Sequence, residues 1–305
     1  MDQQHPNTFM NGLVMVTITV LFWGILPIAL VFTLSLQDGT TITWFRFLVA
    51  AVLCLSYQAA KGRLNEFRNL SLSDWGILSA ATIFLISDYL LYIYGLNYID
   101  PSAMQVFSQA TPLFLALGGI FFFKERISKF QAGCFIALFV GLGMFFNASI
   151  AKLSFEETGF LTGVLIAVTA SFVWAVYALL QKRLVTKISS ANILLFIYVV
   201  AVITLLPASD LHSFEVLTGT EWLILSFCAL NTLVAYYSFS ESLNYWPTTH
   251  VSSALALVPL ATIFASYGAS QLWPDMIPFP ELNTLGWAGV MLTLLSMILF
   301  NIRKA

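Results

Sequence analysis

Charge is what this sequence has least of. Only 9% of its 305 residues are Asp, Glu, Lys or Arg, whereas 59% are hydrophobic and the mean hydropathy is +0.87. A soluble domain carries about 25% charged residues, so these few charges could not cover a water-exposed surface. The composition therefore predicts an integral membrane protein with the lipid bilayer as a partner.

Other absences narrow the function. The three cysteines lie singly in apolar runs without a CxxC spacing, and the three histidines form no HExxH motif. These patterns predict no metal site and no cofactor. The net charge of -2 gives no reason to expect a nucleic-acid partner. The N-terminus also lacks a basic n-region, so we expect the first apolar run to be a retained membrane span.

What the sequence has in abundance is long apolar runs. A transmembrane helix needs about 20 predominantly apolar residues, and reading for such runs predicts ten spans in an all-α membrane protein. The predicted spans are approximately residues 12–34, 41–58, 74–98, 102–123, 130–147, 159–182, 191–207, 221–245, 248–271 and 285–302.

The basic residues predict how these spans are oriented. Of the 13 Lys and Arg residues, 11 fall in the segments on the N-terminal side of the predicted topology. The opposite side has only Lys152, and Arg46 lies inside span two. Cytoplasmic loops carry the excess of basic residues in membrane proteins. The distribution predicts a multi-pass protein of the cell inner membrane with both termini in the cytoplasm.

The two halves of the chain resemble each other. At a shift of 147 residues Trp75 aligns with Trp222, Tyr89 with Tyr236, and Leu96–Tyr98 with Leu243–Tyr245. Span one aligns with span six at a shift of 151, which pairs Trp23 with Trp174. Five spans per half place the second copy upside down, and inverted repeats are typical of secondary transporters. We therefore predict two repeats, residues 11–147 and 158–303, in one membrane domain.

Several motifs together resemble the drug/metabolite transporter superfamily, and its EamA-type families most closely. They are Trp23-Gly24 in span one, Arg46 in span two, and the stretch from Gly95 to Ser128, which has a mid-span Pro112 and ends at Glu125. The resemblance implies a basket of ten helices in which spans three, four, eight and nine surround a cavity. It also implies transport of amino acids or related metabolites, as an exporter or exchanger; a proton-coupled importer is the alternative.

Asp88 in the middle of span three is the first candidate site residue. A charge at the membrane centre costs about 2.5–3.5 kcal/mol if it faces lipid, so we expect it to face the cavity with Tyr92 and Gly95 on the same helical face. Three roles stay open: a site for a substrate amine or proton, an ion pair with Arg46 or another donor, and a water-facing group. Arg46 itself could pair inside the protein or extend to the outer headgroups.

The other candidates have polar or aromatic side chains near the predicted midplane. Each has a plainer reading as a packing, interfacial or helix-bridging residue. The expected substrate-binding set is Trp23, Asp88, Tyr92, Gln105, Ser108, Gln109, Trp174, Tyr177, Tyr236 and Ser253. Coupling or ion pairing is expected among Asp88, Arg46, His250 and Glu241, and helix kinks at Pro27, Pro112 and Pro259.

Competing functions are less well supported. Gly268-Ala269-Ser270 resembles a serine-hydrolase GxS, but no histidine is placed as its base, so we predict a non-enzyme. A channel would need rings of charges or carbonyls, and a sensor would need a soluble domain. We therefore predict a carrier of a small-molecule substrate, with protons as a second candidate partner and a homodimer left open.

Overall fold

The computed structural model describes residues 6–34, 37–95, 97–99, 101–151, 153, 159–275, 277 and 282–302. Throughout these residues the regular structure is helical, without a β-strand, which confirms the all-α class. Short 3₁₀ helices cover Arg63–Asn69, Leu206–Ala208 and Leu211–Phe214. The α-helices are α1 (Pro6–Leu34), α2 (Gly39–Ala60), α3 (Leu72–Gly95), α4 (Pro101–Ser108), α5 (Ala110–Phe122), α6 (Lys129–Phe145), α7 (Asn147–Ala151), α8 (Phe160–Leu184), α9 (Ser190–Leu205), α10 (Gly219–Tyr245), α11 (Thr248–Leu255), α12 (Val258–Leu272) and α13 (Thr284–Ile302).

In the described part of the chain, eight helical segments are long and apolar enough to cross a membrane. The remaining two predicted spans, the fourth and the fifth, correspond to the shorter apolar helices Val106–Phe122 and Lys129–Phe145. The chain is thus a multi-pass membrane protein, while the number ten stays a prediction. The division into two repeats at residues 11–147 and 158–303 likewise stays a prediction.

The fourth and ninth predicted spans are interrupted near their prolines. Helix α4 ends at Ser108, four residues before Pro112, and α11 ends at Leu255, four residues before Pro259. The proline ring clashes with the carbonyl four residues earlier and offers no N–H to it, so both interruptions have the same local cause. Pro27 differs, because α1 continues through it from Pro6 to Leu34.

Most helix contacts between the two halves have a counterpart in which the halves change places. Helix α1 of the first half packs on α10 and α12 of the second half. Its counterpart α8 packs in the same way on α3 and α5 of the first half. Helix α2 packs against its own repeat equivalent, α9, and α6 packs against its equivalent, α13. Two pairs of repeat-equivalent residues even touch: the hydroxyls of Tyr89 and Tyr236 lie 2.9 Å apart, and the rings of Trp23 and Trp174 5.7 Å. The two halves therefore meet at contacts between repeat-equivalent residues.

One end of the molecule collects the basic side chains. Glu66 in the Arg63–Asn69 helix accepts hydrogen bonds from the backbone and side chain of Ser189, which joins the segments after α2 and after α8. Glu125 after α5 joins Lys182 near the end of α8. We call this side the basic end. Its described basic residues are Lys61, Arg63, Arg68, Lys124, Arg126, Lys129, Lys182, Arg183 and Lys187, and Lys152 lies outside the described residues.

Candidate functional site

A cavity of about 230 Å³, which we call the central cavity, lies beside the helix interruptions near Pro112 and Pro259, between helices of both halves. Its polar lining comes from α3 and from the α4–α5 junction, whereas α1, α8 and α10 contribute aromatic rings. The lining residues are Trp23, Asp88, Ser108, Gln109, Thr111, Pro112, Trp174, Tyr236, Leu255 and Val258. A larger apolar cavity of about 640 Å³ lies between α1 and α10 towards the opposite end of the molecule.

The central cavity brings together six of the ten residues expected to bind substrate. They are Trp23, Asp88, Ser108, Gln109, Trp174 and Tyr236. Sequence reasoning missed Thr111, Leu255 and Val258. A signal for them existed, because Thr111 follows Ser108 at helical spacing, and Leu255 and Val258 are the repeat equivalents of Ser108 and Thr111 at the 147-residue shift.

Three aromatic rings form one wall of the cavity. The ring centroid of Trp23 lies 5.7 Å from that of Trp174 and 5.4 Å from that of Tyr236, both at near-perpendicular interplanar angles. Phe239 packs behind them, 5.0 Å from Trp174. Edge-to-face pairs at these distances are favourable, so the rings hold one another in place. Trp23 is half-buried, and Trp174 and Tyr236 are buried.

Asp88 is half-buried in the cavity wall and, among the described residues that line the cavity, is the only charged one. Among the described residues, none donates a hydrogen bond to its carboxylate or forms an ion pair with it. The rings of Trp23, Trp174 and Tyr236 line the same cavity, and in the described part of the chain they donate no hydrogen bond to Asp88. A carboxylate in such surroundings is poorly stabilised until a cation or donor approaches.

Arg46 does not pair with Asp88 in this structure. It is 4% exposed, and its Nε donates a 2.8 Å hydrogen bond to the hydroxyl of Thr232 on α10. Its charge also acts on the phenol of Tyr89, which bonds to Tyr236. This burial does not fit an arginine extended to the headgroups. Tyr89 and Tyr236 connect Arg46 to the cavity wall.

The two halves give the cavity two chemically different faces. The first half supplies Asp88, Ser108 and Thr111, and their repeat equivalents in the second half are Ala235, Leu255 and Val258. Each polar group is therefore matched by an apolar one. The cavity combines approximate backbone symmetry with a polar side and an apolar side.

The remaining candidates lie elsewhere. Tyr92 is 41% exposed and is absent from the lining, Tyr177 is fully buried behind Trp174, and the side chain of Gln105 lies outside the described residues. Ser253 is hydrogen-bonded to Asn301, and His250 packs on Trp246 and Phe300. Glu241 lies near the basic end. These three residues, Pro27 and Pro259 are all absent from the lining.

A second polar assembly lies at the basic end. Oε1 of Glu125 accepts hydrogen bonds from Lys182 Nζ at 2.8 Å and from the backbone N–H and hydroxyl of Thr248 at 2.7 Å. Its Oε2 accepts from Thr249 N at 2.9 Å. These bonds cap the N-terminus of α11. We call these four residues the Glu125 cluster.

Electrostatics favour the ionised form of Glu125. Burial raises the pKa of this carboxyl, but the charge of Lys182 and the hydrogen bonds from Lys182, Thr248 and Thr249 more than compensate. The net pKa lies below its ordinary value of 4.5. At the 147-residue shift Leu272 takes the place of Glu125, and there α12 meets α1 through a ring contact between Trp273 and Phe32.

Comparison with known proteins identifies the class. An uncharacterized transporter of Haemophilus influenzae is 35% identical over 94% of each chain. The uncharacterized inner membrane transporter YhbE of Escherichia coli K12 is 34% identical over 91% of this chain and 87% of its own length. A solved structure described only as the crystal structure of a protein matches 94% of this chain and 95% of its own with a TM-score of 0.75. At 15% identity, that match shows the fold alone. The protein is a membrane transporter.

The family follows from the sequence match. The model of the EamA-like transporter family matches residues 10–147 and residues 161–302, which together span nearly the whole chain. The chain belongs to the EamA-like transporter family, as the resemblance of its motifs predicts.

Proposed function

We propose that the protein moves a small metabolite, an amino acid or a related compound, by alternating access through the central cavity. The observation that carries the proposal is the position of the cavity, beside two interrupted helices that occupy equivalent places in the two halves. Inverted-repeat transporters bind substrate near the bilayer midplane at such discontinuous helices. At about 230 Å³ the cavity is smaller than the roughly 300–1,000 Å³ of drug-sized sites, which favours a small substrate.

The packing of the interrupted helices supports one particular state of the cycle. At the basic end α5 packs against α11, and the Glu125 cluster ties them together with α8. Within the described part of the chain, α4 and α12 on the other side make no comparable contact. This difference favours a conformation closed at the basic end, with the cavity reached from the opposite side.

We further propose that the basic end faces the cytoplasm in the inner membrane, with both termini on that side, since Lys and Arg concentrate in cytoplasmic loops. The conformation is then outward-facing, and we propose export or exchange as its physiological mode. Proton-coupled import is the second candidate, which the mid-membrane carboxylate of Asp88 favours. A homodimer stays a prediction.

Counterflow in proteoliposomes tests the transport proposal. Vesicles containing the purified protein are preloaded with a mixture of unlabelled amino acids and their decarboxylated amines, and are diluted into the labelled compounds one at a time. A carrier gives a transient, saturable accumulation of at least one labelled compound. Uptake equal to that of protein-free vesicles for every compound, or uptake that does not saturate, would contradict it.

A further inference from the structure

We propose that the central cavity selects a small amphipathic amine, whose ammonium group binds Asp88 while its apolar body lies against the second half of the chain. This proposal rests on the proposed transport function and names its substrate class. It is carried by the charge, the aromatic wall and the two-sided lining of the cavity. The three observations are independent of one another.

The charge of the cavity favours a cation. Of the lining residues that the structure describes, Asp88 alone is charged, and no described side chain forms a hydrogen bond or ion pair with its carboxylate. Two cations of the surrounding helices are engaged elsewhere: the buried Arg46 with Thr232, and the half-buried Lys182 at the basic end with Glu125. An ammonium group would supply a charge-assisted hydrogen bond to Asp88, whereas a carboxylate would meet a like charge without a cation to balance it.

The aromatic wall suits the same group. Trp23, Trp174 and Tyr236 meet around one side of the cavity, with centroids 5.4–5.7 Å from Trp23. A cation within about 6 Å of an aromatic centroid is attracted to the ring face, and Trp is the best such partner. A carboxylate that shares a cavity lining with two tryptophans and a tyrosine is therefore a favourable setting for an organic ammonium.

The two faces of the cavity favour an amphipathic shape. Asp88, Ser108 and Gln109 come from the first half, while Leu255 and Val258 come from the second. A substrate with one polar end and one apolar end satisfies both faces in a single orientation. An amino acid would place its α-carboxylate beside its ammonium and so close to Asp88. We therefore expect amines to bind more tightly than the parent amino acids.

Four probes of similar size but different charge test the class on the purified protein in detergent. They are phenethylamine, 2-phenylethanol, 3-phenylpropionate and phenylalanine. Because a ligand stabilises the state that binds it by mass action, we expect phenethylamine to raise the unfolding temperature at the lowest concentration. Equal or tighter binding of the alcohol, the acid or the amino acid overturns the proposal.

Variants then localise the recognition. Asp88→Asn should weaken phenethylamine at least tenfold and leave 2-phenylethanol unchanged, while Asp88→Glu should keep the preference for the amine. Asp74→Asn is the matched control, because Asp74 lies on the same helix but at its exposed end, bonded to Ser71, and it should bind every probe as the wild type does. Unchanged amine affinity in Asp88→Asn would overturn the proposal. If that variant fails to fold, the four wild-type affinities decide the question alone.

Counterflow separates this proposal from transport itself. Saturable counterflow of acids or neutral compounds, without counterflow of amines, would overturn the amine class and leave the transport function standing. Absence of counterflow for every compound would contradict transport, whatever binds in the cavity. Gradient-driven uptake lost in Asp88→Asn, with amine affinity retained, would leave Asp88 as a proton-coupling residue and overturn the proposal.

Discussion

Arg46 shows how a single buried charge is accommodated without a carboxylate. Its Nε bonds to the hydroxyl of Thr232, and within the described residues it forms no ion pair. A hydrogen bond to a charged group contributes about 1.5–3 kcal/mol. The bond also joins α2 to α10, so it ties together helices from the two halves of the chain.

We predict that Arg46→Lys lowers the unfolding temperature of the purified protein, because an ammonium cannot reproduce the directed Nε–H bond. Thr232→Val should have a similar effect, and the double variant should lose less than the two single losses added together. Thermal unfolding in detergent of the four proteins measures this coupling. Strict additivity would show that the bond contributes nothing measurable.

At the residue level the sequence predicted part of the cavity. Asp88 stood out because a charge in an apolar run must face something polar, and the structure places it in the lining. Tyr92 was expected on the same face, yet it is 41% exposed. Helical spacing predicts a shared direction only to within a broad angle, so it cannot tell a cavity wall from its edge.

At the scale of helices, Glu125 controls the contact between α5 and α11. We predict that Glu125→Gln loosens the basic end, because the amide keeps the shape but loses the charge that pairs with Lys182 and caps α11. A loss of about 1.5–3 kcal/mol would shift a two-state equilibrium about tenfold or more. A cysteine at Ser252, which is buried beside α5, should then react severalfold faster with a maleimide from the basic side in a background lacking the native cysteines.

Glu66→Gln is the matched control for this prediction. Glu66 also accepts hydrogen bonds at a helix start on the basic end, from Ser189 and Asn192 before and within α9, but among the described residues it forms no hydrogen bond or ion pair with α5 or α11. Its loss should lower the unfolding temperature and leave the reactivity at position 252 unchanged. Equal reactivity in both variants would mean that the Glu125 cluster does not hold the basic end closed.

The same cluster predicts a pH dependence. Because the folded-state pKa of Glu125 lies below its ordinary value of 4.5, the carboxylate contributes its full stabilisation above that value and loses it as the pH falls through the lower, folded value. Divided by the reactivity of a free thiol at the same pH, which removes the change in thiolate fraction, the maleimide reactivity at position 252 should therefore stay constant from neutral pH to about pH 5. A rise at mildly acidic pH would contradict the ion pair with Lys182.

Close backbone contact defines the α6–α13 pair. A Cβ added at Gly289 would lie 2.5 Å from both the carbonyl oxygen of Gly141 and the amide nitrogen of Phe145. We predict that Gly289→Leu separates these helices and costs about 1–3 kcal/mol, as overpacking generally does, which a lower unfolding temperature would report. Gly143→Leu is the control, since no atom lies within 4 Å of its added Cβ. Equal losses in both variants would refute the close contact.

At the scale of the whole molecule, the basic end predicts the orientation. In right-side-out spheroplasts we expect a membrane-impermeant maleimide to label Val216→Cys but not Leu72→Cys, in the background without native cysteines. Both positions are highly exposed, at 79% and 90%, and they lie at opposite ends of the molecule. Leu72→Cys should react only after lysis. The reverse pattern would place the basic end outside.

The class of the protein was readable from sequence because it depends on quantities that are summed along the chain. Hydropathy and charge required a bilayer, and the repeat of Trp23 in Trp174 and Tyr89 in Tyr236 indicated a transporter. The number of spans stays a prediction, since α5 and α6 are shorter than a typical span. The prolines indicated where spans four and nine are interrupted, but the length of an apolar run does not give the bounds of the helices on either side.

The sequence by itself determined that the protein lies in a membrane, that it is helical, which family it belongs to, and that Asp88 has an unusual position. Each of these depends on the order and kind of residues alone. Only the tertiary structure decided that Asp88 faces tryptophans instead of Arg46, and that Glu125 binds the start of α11 more than 120 residues away. Such contacts depend on distances between helices that are remote along the chain. Local periodicity carries no information about those distances.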